Sequence, residues 1–242
     1  VATDTGYAMI VRCTLLLLLV LGIHAELWSQ DLRGIVNRYH RVVAYDTCRQ
    51  TLTVDPIPTV VAGDRILVHQ SKGAVIDTTD GPQFGRITSL ANAGVFEFAT
   101  VYAVRGNDIL LQTALRRRYD PADGMQCITM PMVASARVVD TVRAMPWDGV
   151  TGGIIALVCS DTLTIAAPVI AAGQGFRGGR ASVNASDTSQ LALTLPDGHG
   201  GSGRKGESIV ALPSSASAGR APNASGGGGG IARNGGGGGG GG

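Results

Sequence analysis

The chain of 242 residues carries 20 Lys+Arg against 18 Asp+Glu, and its only lysines are Lys72 and Lys205. A net charge of +2, with 16% of residues charged, offers no concentrated cationic face, which excludes nucleic acid as a partner. Of the 36 glycines, 13 precede position 173 and 23 fall in the 70 positions from there on, so a globular part is joined to a glycine-rich one.

Leu15 to Ile23 is an unbroken apolar run of nine, preceded by Arg12 and followed by Ala25 and Ser29. A cationic start, a short apolar core and a small residue at the cut predict a secretory signal over 9–30. A membrane anchor would need ~20 apolar residues. Met9 is the expected start, with 1–8 as over-translated reading frame, and Cys13 lies on the wrong side of the apolar core for lipidation. Cleavage is expected to leave a chain beginning between Glu26 and Asp31.

The remaining cysteines are Cys48, Cys127 and Cys159. In an oxidising compartment they read either as one disulfide plus a buried thiol or as three buried apolar side chains. No C-x-x-C pair occurs, so neither a zinc knuckle nor a redox dithiol is predicted.

From 31 to 132 the pattern predicts a small β-barrel or sandwich. Short runs at Val42 to Tyr45, Thr51 to Val54, Arg65 to Gln70 and Gly85 to Leu90 are separated by Pro, Gly and Asp turns. Val95 to Val104 alternates, with Phe96, Phe98, Thr100, Tyr102 and Val104 on one face. Arg105 to Asp108 turns the chain back into Ile109 to Leu115 as a hairpin. The expected core includes Phe96, Phe98, Tyr102, Val104, Ile109 and Leu111. No window of helical apolar periodicity is present outside the signal, so the fold class is all-β.

Over 133–180 the runs Ile154 to Val158, Thr162 to Ile165 and Val169 to Ala172 are brief, β-branched and joined by small residues. This rhythm predicts a short β-solenoid-like segment of a couple of rungs, capped by the preceding module, with Pro168 at an edge or strand end. The tail, 181–242, is rich in Gly, Ser and Ala, with pure glycine runs at Gly226 to Gly230 and Gly235 to Gly242. Disorder is one reading, because ordering glycine costs backbone entropy and buries no side chain. The other is the extended threefold polyglycine helix, whose backbone groups need neighbouring strands as partners. A chain ending inside a glycine run is expected to continue beyond Gly242.

The ordered series Gly63 to Ala74, Phe84-Gly85-Arg86-Ile87-Thr88, Asn92 to Ala99, Trp147 to Gly153 and Gly173 to Gly179 resembles the amino-terminal region of large glycine-rich secreted surface proteins of Bacteroidota, many of which use type IX secretion. The resemblance covers about 35–180. It implies an extracellular or cell-surface role and names no catalytic residues. The glycine runs alone are similar to the polyglycine-helix region of anaplastic lymphoma kinase.

Gly173 to Gly178 satisfies G-x-G-x-x-G after a β run, but a dinucleotide site needs a helix next, and Gly179 to Gln190 has no helical periodicity. A glycine turn is the expectation. His40, His69 and His199 share no ligand spacing, Asp77 and Asp80 lack the alternating oxygen pattern of a calcium loop, and no G-x-S-x-G elbow occurs. No catalytic, cofactor-binding or metal residue is therefore predicted. Arg116-Arg117-Arg118 reads as a solvated strand end, and Asn184 and Asn223 begin sequons. The expected function is a secreted or surface structural, adhesive protein with a β base and a glycine-rich spacer, not an enzyme as given. Its partners would be envelope or matrix components, glycans among them. The alternatives are a glycan- or envelope-binding module, or the non-catalytic front end of a secreted enzyme.

Overall fold

The computed structural model describes residues 29–181 and 192–230. The predicted signal up to Trp28, Asn184 and the second glycine run lie outside them; the last two residues assigned to the signal, Ser29 and Gln30, are described, and Gln30 opens the first strand. The elements are β1 (Gln30–Gly34), β2 (Tyr39–Asp46), β3 (Thr51–Asp55), β4 (Arg65–Gln70), β5 (Val75–Ile76), β6 (Ile87–Ser89), β7 (Phe96–Arg105), β8 (Asp108–Leu111), β9 (Met125–Met130), β10 (Met132–Val133), β11 (Ala136–Arg143), β12 (Val158–Cys159), β13 (Leu163–Ile165) and β14 (Val169–Ile170). The chain is all-β, as its periodicity requires.

Six strands close an antiparallel barrel in the order β2-β3-β8-β7-β4-β9. Its interior holds Val42, Leu52, Val54, Ile66, Val68, Val101, Ile109 and Met125, all fully buried. β4 and β9 are near-continuously buried because both their faces are covered. Ile66 and Val68 point into the barrel, whereas Leu67, Ile128 and Met130 pack outside it against Ile154, Ala156 and Val158.

The face assignment on β7 is corrected. Phe96, Phe98 and Tyr102 are each more than half exposed, and the inward positions are Ala99 and Val101. Alternation shows that one face is buried but not which one. A six-stranded barrel is too narrow to take aromatic rings from a central strand, so the smaller set goes inside. A register shift between Val101 and Ala103 then returns Val104 to the core side, where it packs with Ile109 and Leu111 as expected.

Outside the barrel β5 and β6 pair antiparallel, but among β1 and β10 to β14 the pairing turns parallel. β11 has β1 on one side and β13 and β14 on the other, and β10 pairs β12. Ala136 matches Leu163 and Val142 matches Val169, the same offset, so two successive stretches of chain stack as rungs. Leu32, Val133, Val138 and Val142 fill the space between them, with Ile155, Leu157 and Leu163 against their edge. The barrel is inserted between two parallel neighbours, β1 and β11.

Residues 192–230 contain one 3-10 turn (Ser214–Ala216) and otherwise extended or turning backbone. They dock on the barrel side through Ile209, whose carbonyl accepts from the N–H groups of Gly73 and Ala74 (3.0 and 3.2 Å). Val210 buries with Ala74 and Ile76.

Candidate functional site

Two of the sequence segments that carry the resemblance meet the glycine-rich part at one place. Trp147 follows β11, Phe176 and Arg177 follow β14, and Glu207 comes from the glycine-rich part. The Trp147 indole N–H donates to Glu207 Oε2 (2.9 Å) and its ring meets Phe176 edge-on with centroids 5.4 Å apart. Arg177 grips the same carboxylate with its backbone N–H (3.0 Å), Nε (3.1 Å) and Nη2, while Nη1 donates to the Asp148 carbonyl (2.8 Å). Burial pushes the Glu207 carboxyl up, but the Arg177 hydrogen bonds and charge outweigh it and hold the group below the usual carboxylate range. Gly149, at φ +110°, sits where any Cβ would collide with the Arg177 guanidinium. The Lys72 ammonium lies 5.8 Å from the Trp147 ring centre.

Beyond this junction the glycine-rich part is held chiefly by its backbone. Gly206 N–H donates to Gly227 (2.8 Å), Gly229 N–H to Gly219 (2.8 Å), Gly219 N–H to Gly203 (3.2 Å) and Gly203 N–H to Gly230 (3.2 Å). Strands approach so closely that a Cβ on Gly203 would strike the Gly229 carbonyl, one on Gly229 the Gly203 carbonyl, and one on Gly228 the Arg220 carbonyl. This is the lateral bonding that extended polyglycine requires, supplied here within one chain.

Lys205 ties these strands together. Its ammonium donates to the carbonyls of Leu193 (2.7 Å), Gly219 (3.4 Å) and Ala221, and stands 4.8 Å from the Phe84 ring centre on the barrel side. Burial lowers its amine to about 8, and the carbonyl dipoles and ring face are what let a cation be housed there. Sequence reading singled out Lys205 only as one of two lysines; nothing in its neighbourhood marks it as a strand clamp.

The other candidates stay apart. His40 is buried on β2, His69 lines a groove outside the barrel and His199 lies in the glycine-rich part; among the described residues no three His, Cys, Asp or Glu side chains converge as a metal site. Burial lowers both His40 and His69. Cys48 is exposed, Cys127 buried with its thiol pushed up to about 12, and Cys159 partly buried; all three are free, so neither cysteine arrangement read from the sequence is the one found. Asp77 accepts from Thr79 N–H (2.9 Å) and its hydroxyl, a local turn. Glu97 holds the backbone N–H groups of Arg116 and Arg117 (2.9 and 2.7 Å). Gly173 to Ala181 carry no helix. Asn223 is buried and donates to the Gly206 carbonyl (3.3 Å), so its sequon is inside the bundle.

The outward aromatics of β7 form the wall of an apolar groove of about 490 Å³, in which Phe96 and Phe98 stand edge-to-face 5.9 Å apart opposite Ile154 to Leu157.

No family model and no curated protein matches the chain. Among solved structures it is similar to the tailspike gp61 of Pseudomonas phage phi297 (16% identity, 55% of this chain, 18% of that one, TM-score 0.29). The tailspike gp54 of Acinetobacter baumannii bacteriophage AP22, solved with a capsular saccharide, gives 10% identity over 55% of this chain and 21% of that one, with a TM-score of 0.30. The tailspike gp49 of Pseudomonas phage LKA1 gives 19%, 57%, 23% and 0.25. The chain thus matches about a fifth of the length of these tailspikes, at scores below those of a shared fold.

Proposed function

We propose that this chain is a structural, adhesive element of a surface or secreted protein, in which the barrel and rungs form a base from which a backbone-bonded glycine bundle extends as a stiff spacer. The observation that carries this reading is the reciprocal contact of Gly203 and Gly229, together with the Lys205 clamp: the glycines are placed where side chains cannot go. A loose tether has no need of such positions. The export and surface placement implied by the resemblance belong to this proposal. The exposed thiol of Cys48 provides the test. A membrane-impermeant maleimide applied to intact host cells should label Cys48 in the wild type and leave Cys48→Ser unlabelled; labelling only after lysis would refute surface placement.

A second reading, a glycan-binding module, is favoured by the exposed Phe96, Phe98 and Tyr102 on one barrel face, since aromatic faces stack on apolar sugar faces. Titration with envelope polysaccharide should shift Tyr102 fluorescence in the wild type and not in Phe96→Ala/Phe98→Ala; an unchanged signal in both removes this reading.

A further inference from the structure

His40 is out of keeping with its surroundings. It is 3% exposed, and neither its Nδ1 nor its Nε2 has a hydrogen-bond partner. The Pro56 carbonyl acts on the ring without meeting either nitrogen in hydrogen-bonding geometry. A buried polar group left unpaired is costly, and folded proteins seldom keep one without a use.

The register of β2 and β9 shows what lies beside it. His40 is paired with Cys127, and Tyr39 with Ile128. Directly opposed residues of an antiparallel pair share a face, with Cβ atoms about 4.5–5.5 Å apart. Tyr39 and Ile128 pack outside the barrel, whereas Cys127 belongs to the interior cluster, as does Val42, two residues along β2 from His40. His40 and Cys127 are therefore neighbours on the inward face. Cys127 is fully buried with a free thiol, and Met125, fully buried on the same face of β9, adds a thioether. All six strands that close the barrel around them lie within the described residues.

The chemistry of the pair selects an occupant. Thiolate sulfur and imidazole nitrogen are donors that copper(I) accepts, and thioethers suit the same soft metal. Burial and the Arg38 charge keep the imidazole neutral, which is its ligating form. Among the described residues no Asp, Glu, Lys or Arg is buried in the barrel, so the site has to balance its own charge. A monovalent ion with one thiolate and a neutral imidazole is uncharged overall. A divalent ion would leave a positive charge in an apolar interior, and zinc would also lack its four ligands.

We infer that His40 and Cys127 form a buried site for one soft monovalent metal ion of the copper(I) class, bound between imidazole and thiolate from adjacent strands. The ion takes the place of the Cys127 thiol proton, which leaves to solvent, and no electron is transferred. The site lies in the base and does not depend on the glycine bundle.

The probe is copper(I) alone, kept reduced and offered from a colour-forming chelator to the full chain carrying Cys13→Ser, Cys48→Ser and Cys159→Ser, so that Cys127 is its one thiol. The expected result is withdrawal of one equivalent, with a thiolate-to-copper absorption band, a raised thermal midpoint and an X-ray absorption spectrum showing both sulfur and nitrogen neighbours. Cys127→Val on that background should abolish binding, and His40→Phe should weaken it at least about tenfold, with circular dichroism confirming that each still folds. No withdrawal of copper(I) by the folded parent overturns the site, as does undiminished binding to either folded variant. Equal retention of zinc(II) overturns the monovalent assignment. If the variants fail to fold, the spectrum of the parent decides, and copper lacking either a sulfur or a nitrogen neighbour contradicts the site.

Discussion

The barrel and the glycine bundle of this chain solve the same problem with opposite means. In the barrel, fully buried Val, Leu and Ile side chains each contribute roughly 1.5–3 kcal/mol, and the backbone ladders follow from that packing. The bundle has almost no side chains to bury. Each ordered residue costs roughly 1–2 kcal/mol of backbone entropy, and a hydrogen bond returns only about 0.5–1.5 kcal/mol. Glycine strands therefore barely hold each other, and their order depends on being fastened to the base. The fasteners are visible: Val210 beside Ile76, Ile209 on Gly73 and Ala74, Lys205 over Phe84, and Glu207 between Trp147 and Arg177.

The contrast can be broken from either side. The largest effect is expected from Leu52→Ala in the barrel, which removes a fully buried side chain and should cost about 3–4 kcal/mol of global stability in denaturant unfolding, loosening both regions together. Gly229→Ala, whose methyl would meet the Gly203 carbonyl, should cost about 2 kcal/mol but only locally. Exchange at the Gly203 and Gly219 amides would quicken while the barrel midpoint stays within error.

Acid should separate the regions more gently. The Glu207 carboxyl is held below its unfolded value, so its contribution is present above that value and is lost as pH falls through the lower folded one. Asp148 follows the same sign: burial raises it, and hydrogen bonds from Thr151 and Val150 with the Arg177 charge bring it down. Trp147 fluorescence should therefore report the junction opening in acid before the barrel unfolds, and Glu207→Gln should abolish that early phase. The smallest effect is expected at Phe98→Ser, about 1 kcal/mol or less, because the ring is outside; a cost as large as that of Val101→Ala would restore the inward assignment.

Much of the base was legible in the sequence because short-range chemistry sets it. The Arg105 to Asp108 turn, the runs at β3 and β4 and the brief rungs after Gly152-Gly153 are each announced by alternation and turn residues. What escaped was set by distant partners. The face of β7 depends on the bore of a barrel that no local window encodes. The placement of β1 against β11 depends on an insertion about a hundred residues long. Glycine composition alone does not distinguish a tether from a bundle; the difference lies in Lys205, Glu207 and the segments that surround Gly226 to Gly230.

Residue-resolved hydrogen exchange on the full chain tests that last point most directly. The Gly203, Gly206, Gly219 and Gly229 amides, each bonded to another glycine, should be protected, while those of Gly227 and Gly228 exchange fast. Uniformly fast exchange across all six, with the barrel amides still protected, would mean that the glycine-rich part is a tether and contradict the account.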